Sequence, residues 1–244
     1  MSNREFWNNH WAQLDLSSYN QRDPLSYEIL QALLDILDQT RGKKVLEAGS
    51  GSGKVSMWLG QLGAEPTLVD YAPSAAELAR RAFATRRLQG QFLVGDIRQL
   101  PLPDKTFDLA WNAGVLEHMS SQDQTAALRE MARVTRSGGA ILVMSPNAAC
   151  FPYRLGKYWA EANETWAWGD EQPVVTHRPM FERAGLTLVR EFSIAQGTGL
   201  DFLYPLGSQV MATARQWFVS LSPEERAAQA GYLLCAVGRK ETKG

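Results

Sequence analysis

Lys44-Val-Leu-Glu-Ala-Gly-Ser-Gly-Ser-Gly53 joins a short apolar strand to a glycine-rich turn that carries an acid, Glu47. Asp70 ends the apolar run Thr67-Leu-Val-Asp70 about twenty residues on, where a nucleoside-binding βαβ unit places the carboxylate that takes the ribose hydroxyls. Asp96 then ends Phe92-Leu-Val-Gly-Asp96. Three strand ends in series, each delivering an acid or a glycine turn to one edge of a sheet, describe a cleft for a nucleoside.

The glycine spacing separates two kinds of nucleoside. A dinucleotide fingerprint needs Gly-x-Gly-x-x-Gly, whose third glycine lets the helix pack close while its N-terminus faces a pyrophosphate. Here Gly49, Gly51 and Gly53 alternate, and Lys54 stands where that third glycine would be. With Glu47, Asp70 and Asp96 in register, the chain resembles the class I S-adenosylmethionine-dependent methyltransferases, in particular the small-molecule, type 11-like group with Glu-x-Gly-x-Gly-x-Gly after the first strand. The resemblance is good over roughly residues 40 to 147 and loose elsewhere. It implies an α/β, Rossmann-like doubly wound sheet of seven strands, mostly parallel with an antiparallel last strand, plus helical and aromatic lid insertions.

The resemblance also implies roles. S-adenosylmethionine offers a sulfonium, a zwitterionic amino-acid end, a ribose diol and an adenine. Asp70 suits the diol, because a carboxylate accepts two hydroxyl donors at once. Tyr71 and Ile97 would lie on the two faces of adenine, and Asp96 would accept from its exocyclic amine. Backbone groups of Ala48, Gly49, Ser50 and Gly51 would line the amino-acid end, with Gly53 opening the helix whose N–H donors help there. Glu47 would orient that end, while Asn112 and Ala113 would border the methionine portion.

Composition narrows the partners. Lys plus Arg total 25 against 26 Asp plus Glu, for a formal net charge of -1, so the basic footprint of a nucleic-acid binder is missing. The pairs Arg80-Arg81 and Arg86-Arg87 read as a solvated helix face. A chain of 244 residues suits one α/β unit, since such folds reach about 250 residues as a single domain. No long apolar run or signal-peptide pattern is present, so no membrane association and a cytoplasmic location are expected. Cys150 and Cys235 form neither a disulfide framework nor a metal-ligand pattern, and no metal is expected.

Periodicity gives the remaining organisation. Asp23 as cap and Pro24 in the first turn open an amphipathic helix reaching Leu37. Strands are expected at 44–48, 66–70, 91–95, 107–112, 139–144, 186–194 and 231–237. Helices are expected at 53–62, 73–87, 121–135, 177–184 and 208–219. This alternation means a parallel sheet covered on both faces. Residues 1–40 are read as an N-terminal helical cap and 41–244 as the S-adenosylmethionine-binding domain, with lid insertions at about 147–180 and 197–230.

The fourth strand speaks to the acceptor. Relatives that methylate planar amino groups carry Asn/Asp-Pro-Pro-Tyr/Phe after it, whereas this chain has Trp111-Asn-Ala-Gly-Val-Leu-Glu-His118. Val115-Leu-Glu-His118 is similar to the Leu-Glu-His tract of enzymes acting on small oxygen, nitrogen, sulfur or carbon acceptors. His118 is the candidate general base, with an ordinary pKa near 6.5 suited to proton removal. Tyr153, Tyr158, Trp159, Trp166, Trp168 and His177 are the candidate acceptor-site residues, since loops at strand carboxyl ends carry specificity. His10 is read as structural. The expected activity is in-line transfer of a methyl group from S-adenosylmethionine to a small organic molecule. A non-catalytic binder of the same nucleoside stands as the alternative, and an NAD-dependent oxidoreductase behind it.

Overall fold

The computed structural model describes residues 3–20 and 23–239. Seven strands form one sheet: β1 (Lys44–Ala48), β2 (Glu65–Asp70), β3 (Gln91–Val94), β4 (Phe107–Ala113), β5 (Thr135–Pro146), β6 (Leu188–Ile194) and β7 (Leu233–Arg239). Their order is β3-β2-β1-β4-β5-β7-β6. The pairs β1–β2, β2–β3, β1–β4 and β4–β5 are parallel, while β7 runs antiparallel to both β5 and β6. The sheet is therefore doubly wound and mostly parallel with an antiparallel last strand, as expected.

Alternation within the strands sorts side chains to two helical layers. Val45, Leu109, Trp111, Leu142 and Cys235 pack with Ile29, Leu30 and Leu33 of α2 (Pro24–Leu37) and with Val55 and Leu59 of α3 (Lys54–Gln61). Their neighbours Leu46, Ala110, Ile141, Val143 and Ala236 pack instead with Leu128 and Met131 of α5 (Ser121–Val134) and Phe181 of α7 (Arg178–Ala184). A third cluster joins Met57, Leu68 and Phe83, the last on α4 (Pro73–Thr85). Burying each such aliphatic or aromatic side chain contributes about 1.5–3 kcal/mol.

Local signals set the helix starts. The Asp23 carboxylate accepts from the Leu25 N–H at 3.1 Å with Pro24 in the first turn, and the Ser120 hydroxyl caps α5. Outside the expected elements lie α1 (Asn3–Ala12), α6 (Phe151–Ala162) and α9 (Pro223–Ala228); α8 (Ser208–Ser220) follows the expected 208–219 helix. β5 begins earlier than expected because Thr135 still pairs with Phe107 across a register shift, although the intervening Arg136-Ser-Gly-Gly139 looks like a turn. Among the described residues no helix is long and apolar enough to cross a membrane.

Candidate functional site

The turn after β1 is held from beneath by β2. Gly49 N–H and Ser50 N–H both donate to the Val69 carbonyl, at 2.8 and 3.1 Å. Gly51 N–H donates to Asp70 Oδ2 at 2.8 Å, and Ala72 N–H donates to Asp70 Oδ1 at 2.9 Å. Both carboxylate oxygens thus accept from backbone N–H groups, and Tyr71 adds a third backbone donor to the carboxylate. Two glycines are needed for close packing as well as for their left-handed backbone. Gly49 has φ +81°, and an added Cβ would lie 2.8 Å from the Val115 methyls; Gly53 has φ +68°, and an added Cβ would fall onto the Leu68 side chain.

The turn opens onto a cavity of about 770 Å³, in the size range of small-molecule sites. Its walls include Glu47, Gly49, Ser50, Gly51, Asp70 and Tyr71 around the glycine turn, with Val115 packed on Gly49, and Glu117, His118, Trp168 and Glu171 farther along. Trp7 and Trp11 of α1 roof it, with the Trp11 ring seated on Gly51 and the Trp7 ring centroid 5.3 Å from that of His118. Helix α1 is held there by the Arg4 Nε donor to the Tyr71 carbonyl at 3.0 Å and by the Ser74 contacts to Asn8.

Burial governs the acids. Glu47 is 7% exposed and its Oε2 has no hydrogen-bond partner among the described residues; burial pushes its carboxyl up to about 8, with Asp70 adding repulsion and Ser56 opposing. Burial also raises Asp70, against its backbone hydrogen bonds. Glu117, 3% exposed, is likewise pushed up to about 8, chiefly by burial. Asp96 goes the other way, because the Arg98 guanidinium grips both its oxygens, at 2.6 to 3.0 Å, and also reaches Asp123. His118 Nδ1 lies 2.6 Å from the Asp170 carbonyl, and burial lowers the imidazole pKa.

Of the residues expected at the site, the structure brings Glu47, Gly49, Ser50, Gly51, Asp70, Tyr71, Asp96, Ile97, Ala113, His118 and Trp168 to this one cavity. Ala48 and Gly53 are buried beside it. Asn112 is turned into the core, its Nδ2 3.5 Å from Met131 Sδ. Tyr153 and Trp166 stand behind the wall: Tyr153 is fully buried and its hydroxyl donates to Glu171 Oε1, while Trp166 packs against Phe202 and Lys157. Tyr158 and Trp159 are exposed at 73% and 38% on α6 and do not reach the cavity. His177 is also remote from it. The imidazole is completely buried with Nδ1 3.4 Å from Glu191 on β6, and burial pushes it down to about 4.

Sequence reasoning gave no role to Trp7, Trp11, Glu117, Glu171, Phe202 or Tyr232, all of which line the cavity. Trp7 and Trp11 carried a usable signal, an i, i+4 aromatic pair at helical spacing. Glu117 adjoins His118 and was legible as part of its tract. Glu171 lies in the segment between α6 and α7 and Tyr232 directly before β7, and nothing local marks them.

Comparison with known proteins bears on the family and the fold. A family model described as a methyltransferase domain matches residues 46–143. Malonyl-[acyl-carrier protein] O-methyltransferase of Serratia marcescens is 35% identical over 146 residues, 60% of this chain and 54% of that protein. Ubiquinone biosynthesis O-methyltransferase of Xanthomonas oryzae is 28% identical over 162 residues, 66% of this chain and 64% of that protein. The chain thus spans about half to two thirds of the length of these relatives. In the Haloferax volcanii complex of the Trm112 methyltransferase activator with a methyltransferase, one chain superposes with a TM-score of 0.67 at 21% identity, covering 99% of this chain and 100% of that one. Geranyl diphosphate C-methyltransferase of Streptomyces coelicolor, with S-adenosyl-L-homocysteine bound, gives a TM-score of 0.62 at 13% identity over 86% of this chain and 78% of that one. These two likenesses concern the fold.

Proposed function

We propose, from the premise that this chain carries a class I S-adenosylmethionine-dependent methyltransferase domain, that it transfers a methyl group from S-adenosylmethionine to a small organic acceptor. The observation that carries this reading is one cavity with two chemically different ends. At the glycine turn, the Glu47 carboxyl is buried with an unpartnered oxygen and the Asp70 carboxylate lines the cavity. Those acceptors suit an ammonium group and a diol, so the residues fit the nucleoside. The His118 end, roofed by indoles, is the place for the acceptor.

S-adenosylmethionine supplies an electrophilic methyl on a sulfonium, so the protein's task is alignment, which can contribute about 7–11 kcal/mol to a well-oriented reaction. In this reading Asp70 takes the ribose hydroxyls, Glu47 the amino-acid end, and Tyr71 with Ile97 the adenine. Asp96 serves adenine only by sharing an oxygen with Arg98. Asn112 acts through the core instead of by contact, and Trp168 is the expected lid aromatic that meets the acceptor. His118 is the candidate base: a carbonyl can only accept, so the 2.6 Å contact to Asp170 puts the hydrogen on Nδ1 and leaves the Nε2 lone pair to take a proton.

The O-methyl activity printed for the Serratia and Xanthomonas relatives favours oxygen as the accepting atom. A formal net charge of -1 favours a small molecule over nucleic acid, and the buried free thiols of Cys150 and Cys235 favour a reducing, cytoplasmic setting. Residues 1–40 act as a cap and the insertions as lids in the same proposal. Calorimetry with S-adenosylmethionine and S-adenosylhomocysteine tests it first, followed by mass spectrometry of methyl transfer to a panel of small hydroxy compounds. Folded protein that binds neither nucleoside would overturn the reading.

A further inference from the structure

We propose that Glu117, His118 and Glu171 form a binding site for one divalent metal cation at the acceptor end of the cavity. Each residue offers one ligand atom, and the three atoms all lie within 4.8 Å of one another. Bonds of about 2.1 Å from a metal to nitrogen or oxygen set neighbouring ligand atoms about 3.0–3.4 Å apart, so side-chain adjustments of about 1 Å would complete the set.

Two further observations point to a cation. Glu117 is 3% exposed and lines the cavity, yet its Oε2 has no hydrogen-bond partner among the described residues. A buried carboxylate oxygen in that state is costly and asks for a charged neighbour. The second is the orientation of the imidazole. Its Nδ1 is tied to the Asp170 carbonyl at 2.6 Å, which leaves the Nε2 lone pair 4.0 Å from Glu117 Oε1. Metal-bound histidines are held in this way, by a carbonyl on the nitrogen away from the ion. Glu171 is oriented similarly, with its Oε1 accepting from the Tyr153 hydroxyl.

Two carboxylates and one neutral imidazole make a hard, nitrogen-and-oxygen donor set whose charge a dication balances. Manganese or zinc fits that description better than a soft ion. The remaining coordination positions face the cavity. With the ion in place the Nε2 lone pair is committed to it, so His118 is either a ligand or a base, according to metal loading. The site itself stands whether or not the chain transfers methyl groups.

The test uses the full chain, stripped with a chelator and titrated with Mn²⁺ while free Mn²⁺ is followed by electron paramagnetic resonance; Zn²⁺ is titrated separately by calorimetry. Wild type is expected to bind one equivalent of Mn²⁺ or Zn²⁺ saturably. Glu117→Gln and His118→Asn should each weaken that binding at least about tenfold, Tyr153→Phe by less, and Glu65→Gln, exposed at the start of β2, not at all. Thermal melts report folding of each variant, and a metal-dependent rise in the wild-type Tm gives a readout that needs no variant. No saturable binding of either ion by wild type, or equal binding by folded His118→Asn, would overturn the proposal.

Discussion

At the scale of single residues, Asp70 joins the glycine turn to β2 and also faces the cavity, so removing it would disturb both. Asp70→Asn keeps one carbonyl oxygen for the backbone donors and is the better probe. It should lower affinity for S-adenosylhomocysteine by about tenfold or more, since a hydrogen bond to a charged group contributes about 1.5–3 kcal/mol, while the protein still melts cooperatively. Unchanged affinity by calorimetry would remove Asp70 from the ribose site. Glu47 makes a different prediction. Its carboxyl, pushed up to about 8, is largely protonated at pH 7 in the free protein, and an ammonium group placed beside it would restore the charge. Binding of S-adenosylmethionine should therefore release on the order of one proton, visible as a dependence of the binding heat on buffer ionisation enthalpy. Glu47→Gln should abolish the release, and a wild-type heat independent of buffer would sink the idea. Asp70 and Glu47 were legible in sequence because strand, turn and acid are contiguous. The burial that sets their protonation was not, since it depends on Trp7, Trp11 and the insertions folding over them.

At the scale of elements, the sheet and its flanking helices follow from patterns that lie within one element at a time: short apolar runs in β1 and β2, a cap at Asp23, alternation of strand and helix. The roof depends on contacts remote in sequence. Trp7 and Trp11 gain a role only when α1 is placed over the glycine turn, where Gly51 meets the Trp11 ring. Tyr158 and Trp159 read as pocket residues by composition, but α6 turns them outward to solvent. The two sets give opposite expectations. Trp11→Ala should weaken S-adenosylhomocysteine binding about tenfold, because the ring covers the turn and supplies apolar surface worth about 1.5–3 kcal/mol when buried. Trp159→Ala should leave the affinity within twofold, roughly the scatter of an exposed substitution. Calorimetry that finds both variants alike would mean that α1 is not part of the binding surface.

At the scale of the molecule, several acids lie under one roof, and their titration sets how stability responds to pH. Glu47 and Glu117 have folded pKa values near 8 against 4.5 for the free side chain. Carboxyls raised in this way contribute stability that is fully present below about pH 4.5 and lost as pH rises through about 8. His177 acts with the opposite sign: pushed down to about 4 from 6.5, it contributes stability present above pH 6.5 and lost on acidification. The Arg98 and Arg133 partners Asp96, Asp123 and Glu130 are lowered, so their contribution also disappears only in acid, and it is small because they are solvent-screened. Between pH 6.5 and 8 the histidines are mostly neutral in both states, and the buried carboxyls dominate. The ligand-free protein should therefore lose Tm steadily across that window, by several degrees, since about 1 kcal/mol corresponds to 2–4 °C in a domain of this size. Glu47→Gln and Glu117→Gln should each flatten the slope, and saturating S-adenosylmethionine should flatten it through Glu47 alone. Differential scanning calorimetry at fixed ionic strength decides it. A wild-type Tm that is constant or rising from pH 6.5 to 8 would mean that both carboxyls are already ionised in the folded protein.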